Sequence, residues 1–413
     1  MRARVSAAGP LGPCDGFGKG GASLPSPPSE TQAPSQESLI SCRWIPPAAA
    51  GSCYTFPMAR ILYGVQGGGT GHAVRALTVA RRFPQHEFLF VSFGSGAEVL
   101  RAEFPVAVLP APDTIYRRHR LVVSATVKAV LQYAGQDREN KERLLRLMDA
   151  FQPDVALSDY DYLVAWACRR QGLPCLGLDH QHIITCCRHR LPPWVRPTFW
   201  VTAAVIRRLY GGVTWRLVTS FFHPPLRPGV QARLVPPLLR ESVLTRHPLP
   251  GEHVVAYQSV STFRHFLPFL RSLPRPVHVY GLGEGGRNGN LHFRPRSEEG
   301  FLDDLASCAW VVAGGGHTTI SEALYFGKPV LSFPIRRHAE QYLNAFYLEK
   351  LGYGLKVSRF RPGPGLWRRF ESRLEEFAGR IREGSFVGNE EIFARVAAFI
   401  DSRGRRLGGA DGA

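Results

Sequence analysis

Short β-branched apolar runs alternate along the chain with segments of helical period. Arg60–Val65, Glu87–Ser92, Val106–Leu109, Val155–Ser158 and Leu173–Leu178 read as buried strands. Helical spacing separates them at Ala73–Arg82, Ala97–Glu103 and Asp137–Phe151, where Leu144, Leu147 and Met148 share a face. This rhythm predicts right-handed βαβ crossovers on a parallel sheet. Prolines at Pro236, Pro237, Pro248 and Pro250 mark a break, after which the rhythm restarts. Strands are expected at Val254–Tyr257, Val277–Tyr280, Trp310–Ala313 and Val330–Phe333, with helices at Phe263–Ser272, Phe301–Cys308, His317–Tyr325 and Glu340–Leu351. Loops follow Tyr257 (Gln258–Ser261) and Tyr280 (Gly281–Gly289), and helices Leu366–Arg382 and Glu390–Arg403 close the chain. The fold class is α/β: two doubly wound, Rossmann-like domains over 58–245 and 246–385, then a C-terminal helix and tail, 386–413.

At 413 residues, 44% apolar and 20% charged, the chain has the size and composition of a two-domain globular protein. Residues 1–57 are rich in Pro, Ser, Gly and Ala without a structural period, so they are expected to be disordered or untranslated. Translation is expected from Met58. A net charge of +18 admits an anionic partner, but nearly all of it is arginine, alongside much Ala, Gly and Pro, as GC-rich coding produces. No basic stripe with interleaved stacking aromatics appears, which argues against nucleic acid. The eight cysteines form no CxxC pair, as expected of cytosolic thiols. No apolar run reaches the roughly 18 residues of a spanning helix, and no leader is visible. The expected location is cytoplasmic. Arginines mixed with Trp194, Phe199, Trp200, Tyr210, Trp215, Phe221 and Phe222 between 188 and 240 also suit peripheral contact with the anionic inner face of the membrane.

The chemistry concentrates at Trp310–Gly352. Gly314, Gly315 and Gly316 allow a sharp turn and close approach of a ligand to the backbone. The helix that opens there presents free N–H groups and a positive dipole end, suited to a diphosphate. Glu322 lies six residues after Gly316, where a carboxylate can accept from two adjacent hydroxyls, as on a ribose. Glu340, Gln341 and Asn344 open the next helix, the last two on one face.

The stretch GGGHTTISEALYFGKPVLSFPIRRHAEQYLNAFYLEKLG resembles the donor-binding segment of GT-B glycosyltransferases. It is most similar to the group around the bacterial enzyme that adds N-acetylglucosamine to undecaprenyl-linked muramyl-pentapeptide. QGGGTGH at Gln66–His72 resembles that family's N-terminal glycine motif, with the Thr–Gly order changed. The resemblance implies two domains facing a central cleft. It places Gly316, His317, Thr318 and Thr319 at the diphosphate and Glu322 at the ribose, with Gly314 and Gly315 also on the donor-binding side. Glu340 and Gln341 would meet the sugar hydroxyls. Asn344, His338 and Ser259 complete the expected donor side, and uracil is the default base. A nucleotide-sugar is then a substrate, and no cofactor is expected.

On the other side, Gly68, Gly69, Thr70, Gly71, His180 and His182 are expected to line the acceptor cleft. His72 ends the first glycine loop and is the expected base, since imidazole takes a proton at neutral pH. Asp159 follows a strand on the functional edge and would orient it. Asp159-Tyr160-Asp161 matches a DxD metal pattern, but the two-domain rhythm opposes the fold that uses it. His180 and His182 lack further ligands at metal spacing, so no metal is expected. The expected activity is an inverting, metal-independent transfer of a hexose or N-acetylhexosamine to an envelope glycan or lipid-linked acceptor. A sugar-nucleotide 2-epimerase and an inactive sugar-nucleotide-binding protein are the alternatives.

Overall fold

A computed structural model describes residues 58–111, 115–258, 262–283, 285–357, 363 and 365–408. The expected extension 1–57 and the candidate Ser259 lie outside the described residues. In chain order the strands are β1 (Arg60–Val65), β2 (Glu87–Ser92), β3 (Val106–Val108), β4 (Tyr116–Arg117), β5 (Arg120–Leu121), β6 (Val155–Asp159), β7 (Cys175–Asp179) and β8 (Trp215–Thr219). They continue as β9 (Ala232–Val235), β10 (Val254–Tyr257), β11 (Val277–Tyr280), β12 (Gly286–Asn288), β13 (Leu291–Phe293), β14 (Trp310–Ala313), β15 (Val330–Ser332) and β16 (Gly354–Lys356).

Two seven-stranded sheets result, ordered β3-β2-β1-β6-β7-β8-β9 and β12-β13-β11-β10-β14-β15-β16. The first is parallel throughout; in the second only β12 runs antiparallel, against β13. Both are doubly wound, and each switches direction beside a glycine turn: β1 against β6, and β10 against β14. Ligands in such sheets bind beyond the carboxyl ends of the strands at that point. Val65 pairs with Asp159, so the first glycine loop and Asp159 share one edge.

Each sheet has its own core. Ile61, Tyr63, Phe90, Leu157 and Leu178 pack with Ile392, Val396, Phe399 and Ile400 of the helix Asn389–Asp401, which therefore covers the first sheet. Trp310, Phe333, Phe370 and Phe377 fill the second. A third cluster spans both, joining Ile183, Phe199, Phe221 and Phe222 to Val311, Ile320, Leu343 and Tyr347. This shared apolar core holds the two edges face to face.

The structure departs from the sequence reading where turn chemistry outweighs periodicity. The first helix starts at Thr70 rather than Ala73, because Gly69 (φ 135°) completes the turn early, so His72 is helical. β7 begins at Cys175, after Pro174, which has no N–H to give a sheet, and reaches Asp179. The segment expected as one helix over Leu366–Arg382 divides into Gly365–Glu371 and Leu374–Arg382, which lets Phe370 and Phe377 reach the same core. β8, β9, β12 and the β4–β5 hairpin carry arginine or glycine in place of an apolar run, and periodicity did not show them.

Candidate active site

The first loop leaves β1 with Gln66 N–H donating to Asp159 O at 3.0 Å. Gly67 is packed so closely that a Cβ there would lie 1.9 Å from Phe93 O. Gly68 and Gly69 turn the chain, and the helix Thr70–Arg82 opens without a side-chain cap or an acidic residue in its first turn. It aims two residues at Asp159. Arg75 donates from Nε and from one terminal nitrogen to the two carboxylate oxygens, at 2.7 and 2.6 Å. His72 Nδ1 lies 2.7 Å from Asp159 Oδ1. Asp159 is completely buried and Arg75 nearly so. Burial opposes the Arg75 charge, but Asp159 outweighs it and raises the pKa of the guanidinium. Tyr160 follows with φ 53°, strained backbone at the functional edge. Asp161 turns elsewhere: it accepts from Val164 N–H at 2.7 Å, and burial pushes its pKa up to about 6. The two carboxylates of the Asp-Tyr-Asp triplet thus have separate partners.

The second loop is braced from behind. A Cβ on Gly315 would meet Gln341 O at 2.5 Å. Gln341 Oε1 accepts from Gly315 N–H (3.3 Å) and Ile335 N–H (3.0 Å), and Asn344 Nδ2 donates to Gly315 O (2.9 Å). Gln341 and Asn344, expected at the donor, have these polar atoms engaged by the loop itself. The helix His317–Tyr325 then begins after Gly316 with no side-chain cap and no acid in its first turn, so no side-chain cap occupies its N-terminal N–H groups beside Thr318 and Thr319. The His317 ring turns inward, 4.0 Å from that of His180, and burial holds its pKa well below the usual imidazole range. Glu322 is buried one turn deeper, with Oε1 2.9 Å from Arg240. Burial still pushes its pKa up to about 7. His338 accepts from Gln341 N–H and caps the helix Ala339–Lys350; burial lowers its pKa, as suits a neutral acceptor.

Across the cleft the two edges touch. Gln181 Nε2 donates to Glu340 Oε2 at 3.2 Å and lies 3.4 Å from His72 Nε2. His180 Nε2 is 2.6 Å from Asn344 Oδ1, and its Nδ1 is 2.8 Å from Thr219 O. Gly71 faces Thr318 so closely that a Cβ would lie 3.0 Å from its hydroxyl. The structure therefore brings together His72, Asp159, Gly71, His180, His317, Thr318 and Glu340. His182 is not among them: it is buried against Asp179, bonded through its N–H and Nδ1 at 2.9 and 2.6 Å.

Sequence reasoning missed Arg75, Gln181 and Arg240. Arg75 had a signal, a charge one turn after His72 on a helix whose neighbours are apolar; the other two had none. Away from the cleft, His253, His278 and Asp304 have the spacing of a metal site, but Asp304 there already holds Tyr280 (2.6 Å) and Arg294 (3.2 Å).

Residues 59–362 match the family model described as Glycosyl transferase family 1. An uncharacterised glycosyltransferase of Methanosarcina acetivorans is 28% identical over 72% of this chain and 84% of its own. The structure is similar to MurG of Acinetobacter baumannii (15% identity, 83% of this chain and 99% of that one, TM-score 0.53). It is also similar to the spinosyn rhamnosyltransferase SpnG complexed with thymidine diphosphate (15%, 83% and 99%, TM-score 0.56). At such identities the structural likeness speaks for the fold, two Rossmann-like domains about a cleft.

Proposed function

The chain belongs to glycosyl transferase family 1 and is a glycosyltransferase of GT-B fold, and on that premise we propose that it transfers a hexose or N-acetylhexosamine from a nucleoside-diphosphate sugar, by inversion and without a metal. The observation that carries this reading is the His72–Asp159 pair, whose imidazole Nε2 lies 3.4 Å from Gln181 Nε2, itself bonded to Glu340 of the other domain. Asp159, accepting from Nδ1–H, leaves Nε2 as the proton acceptor and stabilises the imidazolium that forms. Arg75 compensates the buried carboxylate when the imidazole is neutral.

In the transfer, the acceptor hydroxyl gives its proton to Nε2 while its oxygen bonds to the anomeric carbon. The bond from that carbon to the diphosphate breaks. The N–H groups and dipole at Gly316–Thr319 take up the charge on the departing diphosphate. Glu322 has one oxygen on Arg240 and a second for a ribose hydroxyl. Gln181 Oε1 is buried without a partner, an acceptor that a sugar or acceptor hydroxyl would satisfy. Uridine diphosphate is the first donor to test, by resemblance; the thymidine diphosphate of SpnG makes that nucleotide the second.

The acceptor is proposed to be an envelope glycan or a lipid-linked molecule, reached at the cytoplasmic membrane surface. No described helix is long and apolar enough to cross a membrane. However, Trp194, Trp200, Val201, Val205 and Leu209 are exposed near exposed Arg196, Arg207 and Arg208, on or just before the helix Arg196–Leu209. Such a surface suits anionic headgroups.

Thermal shift against UDP, TDP, GDP and their sugars, with and without EDTA, tests the donor site, since a ligand of the folded state raises the midpoint. A shift for one nucleotide that EDTA leaves unchanged is the expected result. No shift with any nucleotide sinks the donor reading, and a shift abolished by EDTA sinks metal independence.

A further inference from the structure

The segments Tyr116–Leu121 (YRRHRL) and Ile335–Glu340 (IRRHAE) each carry Arg-Arg-His, and the structure brings them together through a bridge between Arg120 and Arg336. β4 and β5 form a two-residue hairpin whose turn, Arg118–His119, has φ 48° and 55°. Such a turn favours Asn-Gly, because both central residues must be left-handed. Arg337 opposite has φ 61°. Three of the six non-glycine residues with positive φ among the described residues therefore fall in this one junction. Backbone held so far from its preferred region marks a place where surrounding contacts impose the geometry, and such places cluster at ligand sites.

Those contacts cross between the domains. Leu121 N–H donates to Arg336 O and Arg336 N–H donates to His119 O, both at 3.0 Å. His119 N–H donates to Thr262 Oγ1 at 3.1 Å, its Nε2 lies 3.0 Å from Phe333 O, and its ring stacks on Phe263 at 4.6 Å. Burial keeps His119 neutral by lowering its pKa. The backbone thus clamps two arginine-rich segments onto one another. Among the described residues, Arg117, Arg118, Arg120 and Arg337 have no carboxylate partner, and Arg117, Arg118 and Arg337 are exposed. The charges of Arg336 and Arg337 depress the Arg120 pKa, the sign of like-charge crowding. Arginine does not shed its proton, so an anion set between Arg120 and Arg337 would relieve that crowding.

We propose that the hairpin Tyr116–Leu121 and the loop Ile335–His338 form a composite phosphate site, distinct from the donor loop, at which a phosphoryl group of the acceptor draws the two domains together. Guanidinium forks match phosphate oxygens, and contributions from both domains make binding favour the closed form. The site is coupled to the donor loop, because Gln341 Oε1 accepts from both Ile335 and Gly315 N–H. Assigning the phosphate to the acceptor rests on the proposed transfer reaction, whereas the site itself does not depend on the donor reading.

Thermal shift of the full chain tests it at constant ionic strength, with hexyl phosphate and inorganic phosphate as probes and UDP already saturating. Either probe is expected to raise the midpoint further, by about 3 °C. Arg120→Gln and Arg337→Gly should each cut that increment at least fivefold while leaving the UDP shift intact. R337G keeps the test sound, since glycine accepts φ 61° without strain and should not weaken the fold. A lower saturating concentration for hexyl phosphate than for inorganic phosphate identifies an organic phosphate as the ligand. Equal values identify free phosphate and overturn the acceptor assignment. No increment, an increment unchanged in both variants, or one that disappears when UDP is present overturns the site. If UDP alone gives no shift, the donor reading fails, but the contrast between wild type and R337G still decides the phosphate site.

Discussion

The two glycine loops have the same plan, strand–turn–helix with an uncapped helix end, yet they present different chemistry. At the first, the helix carries Arg75 and His72 onto a buried carboxylate, so the loop delivers an imidazole held in one orientation. At the second, the side chains behind the loop, Gln341 and Asn344, spend their polar atoms on Gly315, so the loop delivers backbone N–H groups. In the proposed transfer, the first edge would move a proton and the second would take up charge. The two units differ because His72 and Arg75 stand on the helix that the first loop opens, whereas Gln341 and Asn344 brace the second loop from the following helix, not because the turns differ.

Three substitutions would separate the two roles. The largest effect is expected from His72→Ala, with kcat falling by about 10³-fold, within the range for losing a positioned general base, and donor affinity unchanged by calorimetry. A parallel loss of donor binding would mean that His72 belongs to the donor side. Gly315→Val should do the reverse. Its side chain has no room against the Gln341 backbone, so stability drops by about 1–3 kcal/mol and donor binding is lost. Retained binding in a folded G315V protein would show that the diphosphate sits elsewhere.

The smallest effect, Glu322→Gln, sharpens the donor side through pH. The folded pKa of Glu322 is raised to about 7, above the usual carboxylate value, so the fold favours the protonated form. Stability from this group is complete below the unfolded pKa and declines as pH rises through about 7, by about 3 kcal/mol in total. Glutamine should flatten that decline in denaturant melts between pH 4.5 and 7.5, and weaken donor binding about tenfold at pH 8. An unchanged slope would assign the titration to another group.

Much of the fold was legible because buried parallel strands, glycine turns and helical faces are written in short windows. His72, Glu322 and both glycine loops stand out as candidates that way. Gln341 and Asn344 show the limit: their spacing put them rightly on one face, but not what that face touches. Arg240 shows it more sharply. It sits near the proline-marked break between the domains, and nothing in its neighbourhood foretells a bond to Glu322. His182 reads in sequence like its near neighbour His180, yet one is enclosed with Asp179 and the other reaches the opposite domain.

By itself, then, the sequence determined the two-domain α/β plan, the family, and the turns at which charge and backbone N–H groups must appear. Tertiary structure alone decided which polar groups remain for a ligand. It paired His72 with Asp159 across 87 positions and His180 with Asn344 across 164, and it clamped one Arg-Arg-His segment onto the other. The physical reason is range. Propensity and turn geometry act over a few residues, whereas the partner of a buried charge is set by whichever distant segment the closed core brings within 3 Å.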